Sequence, residues 1–436
     1  MNSQLSLFQR ISQLDELPNP KVDKRQLNPV HQWADFYAAF SDRFADETLS
    51  ALDSDRTSLV VDPFAGSGTT LVSALLRGSP AIGIDLDPFA CLLSRAKLAI
   101  SSDRSKVKKL LGASGRKSVS RFFHPEAQDR FDADCLAFAS TVFTRVLNST
   151  KCTRENVLAT LLEDVSGQYD SEVVAITALC LAASKSSKLI IGSNPTWHRR
   201  AMQGELIGLA GLHSSSTEIS NTMLSDLQHL STRVSNRKVI ILNGDTSTIA
   251  NLPRQRRATH VLTSPPYLTR LDYIVKHLPN LLILSGLTEI DLNGLRKSMM
   301  GTTLMVDKSP PEDWGSQCLE TLEQIRNHQS YASERYYYWT YTQYFKSLHH
   351  SLTNIANWMD AESVGVLVVQ DGYYKDVHVK LGSIVAEMLG RIGFSAQIVK
   401  QTKLRPSLSA VNPTRWPRRL PTVATEDVVL FEPISS

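Results

Sequence analysis

The run Asp62-Pro-Phe-Ala-Gly-Ser-Gly-Thr-Thr70 constrains this chain more than any other feature. It follows a short apolar stretch, Ser58-Leu-Val-Val-Asp62, which reads as a buried parallel strand. It precedes Thr69–Arg77, which reads as a helix. Gly66 and Gly68 let the backbone approach a ligand where a Cβ would collide. A glycine turn between strand and helix puts that ligand at the carboxyl end of the strand, where open α/β sheets build their sites. Two of the three ligand classes that use such turns are excluded. A dinucleotide fingerprint needs a third glycine at position 71, where Leu71 stands, and a P-loop needs a lysine after its last glycine, where Thr69 and Thr70 stand. A nucleoside-bearing ligand without a pyrophosphate remains. Ala81-Ile-Gly-Ile-Asp85 is a second buried strand, and a carboxylate at its end can accept both hydroxyls of a ribose. Hydrogen bonds to a charged acceptor contribute roughly 1.5–3 kcal/mol. Asp87 is the substitute for Asp85 in that role.

Strand, helix, strand, then a helix over Pro88–Ile100 predict a doubly wound α/β sheet. Before them, residues 1–30 are polar and proline-containing and read as a flexible lead-in, and apolar residues at helical spacing predict a helix from Trp33 to Leu52. The rhythm breaks over 101–236. This stretch reads as a largely helical insertion, with flexible joints near Ser101–Ser118 and Ser214–Ser220 and a buried helix over Val173–Ser184. The α/β pattern resumes with strands at Lys238–Leu242 and Thr259–Thr263, then Gly365–Val369, followed by a helix over Val377–Gly393. Ala396–Val399 and Asp427–Phe431 are strands joined by a long basic loop, which suggests an antiparallel pair at one sheet edge. Residues 31–100 and 237–436 are thus the two halves of one α/β domain, interrupted by 101–236.

Composition narrows the partners. The chain has 47 Lys+Arg against 43 Asp+Glu, a formal net charge of +4, which permits a polyanionic partner without demanding one. Its five cysteines (Cys91, Cys135, Cys152, Cys180 and Cys318) include no CxxC pair, so they read as reduced cytosolic thiols and not as a zinc site or disulfide framework. No apolar run approaches the roughly 18–20 residues that cross a bilayer. Met1–Leu14 lacks the pattern of a secretory signal, so a cytoplasmic location is expected.

The Asp62–Thr70 run resembles the S-adenosylmethionine (AdoMet) motif of the DNA amino-methyltransferases, which methylate the exocyclic amine of cytosine or adenine. The resemblance implies a class I AdoMet methyltransferase fold, a mostly parallel seven-stranded sheet with a reversed last hairpin. It implies that Asp62, Phe64, Thr69 and the Gly66–Gly68 turn hold the methionine end of AdoMet, and Asp85 the ribose.

A second motif, Thr263-Ser-Pro-Pro-Tyr267, ends a predicted strand at the same sheet edge. A base amine is a poor nucleophile because its lone pair is delocalised into the ring. A site that methylates it must accept the amine's hydrogens and turn the lone pair towards the donor. Ser264 offers a side-chain oxygen, and Pro265 a backbone carbonyl on a Pro265-Pro266 frame with φ fixed near −65°. Tyr267 offers a flat face for the base, worth roughly 1–3 kcal/mol in stacking. Ser-Pro-Pro-Tyr is typical of cytosine-N4 enzymes, while Asp-Pro-Pro-Tyr is commoner among adenine-N6 enzymes. The resemblance therefore implies a site-specific DNA methyltransferase acting on a base flipped out of the duplex, with adenine N6 or an RNA base as alternatives and a cognate restriction endonuclease as a candidate partner. No metal is required, because the donor is already activated.

Further positions follow. Asp245, in Asn243-Gly-Asp245, is the candidate contact to the donor's adenine, or equally a helix N-cap before Thr246–Asn251. The segment from His31 to Phe40-Ser41 resembles one that packs over the methionine moiety, which makes Phe40 a candidate. Arg270 and Asp272 are candidates for substrate contact, or else a salt-bridged loop. Gln370–Tyr374 ends a strand at the same edge. Lys400, Lys403, Arg405, Arg415, Arg418 and Arg419, with Trp416 among them, suit phosphate contacts. The aromatic cluster Tyr331–Tyr344 reads as core. The target-recognition segment is either 101–236 or one of the stretches 268–361 and 400–420.

Overall fold

Every residue of β1 (Val60–Asp62) is buried, as its unbroken apolar run requires. The protein is described here by a computed structural model covering residues 13–14, 16–21, 27–34, 40–112, 121–186, 208–234, 238–268, 272–404 and 424–434. After β1 come β2 (Ala81–Asp85), β3 (Val239–Asn243), β4 (Ala258–Thr263), β5 (Met359–Gln370), a small hairpin of β6 (Gly372–Tyr374) and β7 (Val377–Val379), then β8 (Phe394–Lys403) and β9 (Thr425–Pro433). Seven of them form one sheet in the order β3-β2-β1-β4-β5-β9-β8. The first five run parallel, and β9 pairs antiparallel with both β5 and β8. This parallel sheet with a reversed last hairpin is the class I AdoMet methyltransferase fold. The strand order reverses between β1 and β4, which creates the crevice where doubly wound sheets bind ligands.

Alternate residues of the sheet feed two cores. Val60, Leu262 and Val366 pack with Phe44, Leu49, Leu71 and Leu75 on one face. Val61, Val261 and Leu367 pack with Trp314, Phe345, Leu348 and Met388 on the other. Two helices have the predicted starts. Thr69–Arg77 follows Gly68, whose φ of +81° and contact with Ser94 exclude a side chain: a Cβ there would lie 2.8 Å from Ser94 Oγ. Pro88–Lys97 has proline in its first turn and is capped by Asp87.

Residues 104–231 contribute five α-helices among those described: Arg104–Leu111, Ala133–Thr150, Val157–Glu163, Asp170–Ser186 and Leu209–Ser231. Their core is continuous with Phe89, Leu92 and Leu93 of the helix Pro88–Lys97 and with Leu281–Leu284 further on. Arg95, 1% exposed, ties the two regions together. Its Nη2 donates to Asp170 Oδ1 at 2.7 Å, and its Nε donates to the Leu161 carbonyl at 3.0 Å. Asp170 also accepts the Ser101 N–H at 2.9 Å.

Several expectations need correction. The expected joint Ser214–Ser220 lies inside the helix Leu209–Ser231. Its hydroxyls fold back on the preceding turn, as when Ser214 donates to the Ala210 carbonyl at 2.7 Å and Thr217 to that of His213 at 2.9 Å. The helix keeps its bonds and buries Ser216 and Ser220. Of the other joint, Arg104–Leu111 is a helix capped by Asp103, and 113–118 lie outside the described residues. The helix expected over Val377–Gly393 begins only at Leu381. Val377-His-Val379 has the period of a strand and pairs with β6 across a turn in which Lys375 takes φ +56°. The helix expected over Trp33–Leu52 runs from Asp42 to Ala51, where Ser41 caps it by accepting the Phe44 N–H at 3.2 Å. Of the described residues in the lead-in, Lys21 bridges to Phe40, and the Pro20 carbonyl accepts the Ser41 N–H at 2.8 Å. No helix among the described residues is long and apolar enough to cross a membrane.

Substituting Arg95→Ala leaves Asp170 buried without its cation. Urea unfolding is expected to show a loss of about 3–5 kcal/mol, the usual size when one partner of a buried pair is removed.

Candidate active site

The two motifs meet because β1 and β4 are adjacent and parallel, with Val60 opposite His260 and Val61 opposite Val261. Both turns therefore leave the sheet side by side. Thr263 Oγ1 donates to Asp62 Oδ1 at 2.5 Å and accepts the Phe64 N–H at 3.2 Å. Thr70, on the helix after the first turn, donates to the Leu262 carbonyl at 3.1 Å. A cleft with about 1020 Å³ of open space lies over this junction. Phe40, Asp62, Phe64, Gly66, Thr69, Asp85, Asp245, Ser264 and Pro266 all line it.

Two carboxyls sit at the floor. Asp62 is 3% exposed, and burial pushes its pKa up to about 6 against the pull of the Thr263 and Thr70 hydroxyls and the Phe64 N–H. Burial first, then the neighbouring Asp87, raises Asp85 to about 7. Asp85 Oδ2 accepts the Gly66 N–H at 2.7 Å and Oδ1 accepts the Asp87 N–H at 2.9 Å. Each oxygen therefore keeps a lone pair beyond its backbone partner.

The second turn is braced by its neighbours. Ser264 Oγ donates to the Val368 carbonyl on β5 at 2.8 Å, which leaves the hydroxyl oxygen's lone pairs to accept. Tyr344 donates to the Pro266 carbonyl at 2.9 Å. Tyr267 is half-buried, and its hydroxyl donates to Glu426 Oε1 at 3.3 Å. Burial and Glu426 together raise the pKa of the phenol well above its ordinary value.

Other expected positions fall differently. Gly68 and Pro265 belong to the two turns but do not line the cleft, and neither does Tyr267. Asp245 lines it, while its Oδ1 accepts the Ser247 N–H and hydroxyl at 2.9 and 2.7 Å. The expected helix Thr246–Asn251 is a turn, so Asp245 caps that turn and also faces the hollow. Asp272 caps Tyr273–Lys276 and pairs with Arg296 at 2.8 Å, the salt-bridged arrangement. Arg270, Arg405, Arg415, Arg418, Arg419 and Trp416 lie outside the described residues. The Tyr331–Tyr344 cluster is mixed: Tyr338, Tyr341 and Tyr344 are core, whereas Tyr331 is 81% exposed.

Sequence reasoning missed a wall of the cleft formed by Tyr273, Ile274, His277, Met299 and Met300. His277 Nδ1 lies 2.5 Å from Asp87 Oδ2, which links the segment after the second turn to the loop after β2. The only signal was spacing: Tyr273 and His277 stand one helical turn apart, directly after the second motif.

Residues 20–96 match a family described as "DNA methylase" of the N6/N4 type. The Type II methyltransferase M.BsoBI of Geobacillus stearothermophilus is 25% identical over 317 residues, covering 66% of this chain and 59% of that protein. The Type II methyltransferase M.MjaII of Methanocaldococcus jannaschii is 49% identical over 53 residues, covering 12% of this chain and 10% of that protein. The chain thus spans less than two thirds of the length of either relative. Among solved structures, the rRNA methyltransferase aviRa from Streptomyces viridochromogenes overlaps with a TM-score of 0.31 at 13% identity, over 92% of this chain and 89% of that chain. A likeness that low carries nothing about substrate. The sequence matches bear out the resemblance to the N4/N6 amino-methyltransferases, a family whose methyl donor is AdoMet.

The raised Asp85 gives a testable sign. Its folded pKa of about 7 exceeds the unfolded value near 3.8, so its contribution to stability is full below about pH 4 and is lost as pH rises through 7. In the ligand-free protein, Asp85→Asn is therefore expected to gain on the wild type by about 1–3 kcal/mol between pH 5 and pH 8, read from unfolding curves at both.

Proposed function

We propose that this chain is a site-specific DNA methyltransferase that moves a methyl group from AdoMet to the exocyclic amine of a flipped base, cytosine N4, in a bacterial or archaeal cytoplasm. The reading rests on one observation: Ser264 and Pro266 line the same hollow as Gly66, Asp62 and Asp85. The residues present suit the donor. The free lone pairs of Asp85 match two ribose hydroxyls, Asp245 faces the cleft where an adenine amine would lie, and Phe40 and Ile274 offer apolar walls. Bound AdoMet supplies an activated methyl on a sulfonium.

The protein's own part is acceptance and alignment. Because Ser264 gives its proton to Val368, its oxygen can accept a hydrogen of the base amine. The resemblance gives the second amine hydrogen to the Pro265 carbonyl, while the neighbouring Pro266 carbonyl accepts the Tyr344 hydroxyl. With both hydrogens held, the lone pair points into the cleft, and the rate gain is one of positioning. Tyr267 is anchored at its hydroxyl by Glu426 and, standing beside the cleft and outside its lining, would meet the base only at the cleft's edge. Flipping costs a few kcal/mol, which stacking and these hydrogen bonds offset. Ser264 in place of an aspartate favours cytosine over adenine. The relatives' names suggest a restriction-modification setting, with a partner nuclease.

Ser264→Ala and Tyr267→Ala are expected to lower turnover by at least about a hundredfold while calorimetry still detects AdoMet binding; near-normal turnover in both would remove the assignment. Asp85→Ala is expected to weaken AdoMet binding by several-fold or more, consistent with losing one or two charge-assisted hydrogen bonds. Digestion of methylated plasmid to nucleosides should yield N4-methylcytosine by mass; N6-methyladenine, or label confined to RNA, would replace the substrate.

A further inference from the structure

The segment from Gly301 to Ser309 continues the cleft wall that Ser298, Met299 and Met300 form. It starts against the second turn. Gly301 has φ +77°, and a Cβ there would lie 3.3 Å from the Tyr267 carbonyl. Beyond it the chain is tied to the helix Tyr338–Trp358, which also carries Tyr344 to the Pro266 carbonyl and Ser347 to the cleft lining. Gln343 Oε1 accepts the Val306 and Asp307 N–H groups at 3.0 and 3.1 Å, and its Nε2 donates to the Leu304 carbonyl at 3.3 Å. Lys346 Nζ pairs with Asp307 Oδ2 at 2.7 Å, and the Tyr336 hydroxyl donates to the Thr303 carbonyl at 2.5 Å. Gln343, Lys346 and Ser347 lie on neighbouring turns of one helix face, so the loop stands beside the cleft and is held there.

The polar groups of this loop turn inward, and two apolar side chains turn out. Met305 is 38% exposed and Val306 49%. Among the described residues they are the one pair of sequence neighbours that are both large, apolar and exposed. Their surroundings suit a polyanion. Asp307, the one acid between Gly301 and Pro310, is paired with Lys346, whereas Lys297 and Lys308 are exposed. Arg335, the neighbour of Tyr336, holds its guanidinium 4.9 Å over the ring of the exposed Tyr331. A cation and an open aromatic face fit a nucleic-acid strand and its phosphates. Firmly placed apolar side chains beside such a strand are what proteins insert between base steps.

We infer that Met305 and Val306 are a wedge that enters duplex DNA and fills the space left by the target base, with Lys297 and Lys308 meeting the backbone beside it. The inference rests on the methyltransferase reading and adds to it the surface that holds the duplex open. Taking a base out of its stack costs free energy, and apolar side chains that occupy the gap offset part of that cost. The two residues are positioning residues and do not touch the reacting atoms.

Two duplexes separate a wedge from an ordinary contact. Both carry the site that the wild-type protein methylates in plasmid DNA. In one the target base is normally paired; in the other it faces an abasic position, so that its extraction is already cheap. In gel shifts with S-adenosylhomocysteine present, the double variant Met305→Ser, Val306→Ser is expected to bind the paired duplex about tenfold more weakly and the abasic duplex within about threefold of wild type. The double variant Met305→Leu, Val306→Ile keeps the apolar bulk and is expected to bind both duplexes like wild type. Unchanged calorimetric affinity for S-adenosylhomocysteine shows that the serine variant is folded. Equal weakening on both duplexes would make the loop a plain backbone contact and overturn the inference, and so would wild-type binding of the paired duplex by the serine variant. If the wild-type protein methylates no DNA, the methyltransferase reading fails and the wedge with it; if it does and the serine variant matches it, only the wedge fails.

Discussion

The hydrogen bond from the Thr263 hydroxyl to the Asp62 carboxyl joins the ends of two strands whose sequences lie far apart. Everything chemical in this protein is arranged around that contact. It is available because β1 and β4 pair in parallel, so that whatever follows each strand emerges on one rim. A carboxyl there is expensive to bury. The cost is met in part by the Thr263 and Thr70 hydroxyls and the Phe64 amide, and what remains shows in the raised pKa of Asp62.

Around this contact the site is held mostly by backbone carbonyls. Val368 fixes the Ser264 hydroxyl, the Pro266 carbonyl takes the Tyr344 hydroxyl, and the Gly66 and Ser67 carbonyls are held from behind by Ser94 and Lys97. Side chains on two helices, together with one carbonyl of β5, thereby set the directions of two short turns. Such an arrangement keeps acceptors oriented before any ligand arrives, which is where electrostatic and proximity effects gain most. The His277–Asp87 contact extends it, because one wall of the cleft is joined to the loop carrying the second carboxyl.

The parts of this picture that sequence made legible are those that chemistry confines to short segments. Asp62–Thr70 and Ser264–Tyr267 each contain the glycines, prolines and hydroxyls that their turns need, and the flanking apolar runs fix strand and helix. The helix Thr69–Arg77 and strand Ala81–Asp85 begin and end where the pattern places them. What stayed hidden depends on distant partners. Lys97 and Arg95 look like surface charges on an amphipathic helix, yet that helix is buried along its whole length because the inserted helices cover its outer side. Ser214–Ser220 looks like a joint because serine's competing hydrogen bonds are local, while the packing of Leu212 and Met223 that overrides them is not. Asp272 looked equally suited to a ligand or a salt bridge until Arg296 was seen beside it.

The unbroken core between the inserted helices and the helix behind the glycine turn has a consequence for engineering. An insertion of this size invites replacement by a segment from a relative. Here the replacement would sever Arg95 from Asp170 and expose Phe89, Leu92 and Leu93, so a chimera cut at residues 101 and 236 inherits a damaged glycine-turn region along with its new segment. Changes to this region have to proceed by surface substitutions on the existing helices, leaving the buried seam intact.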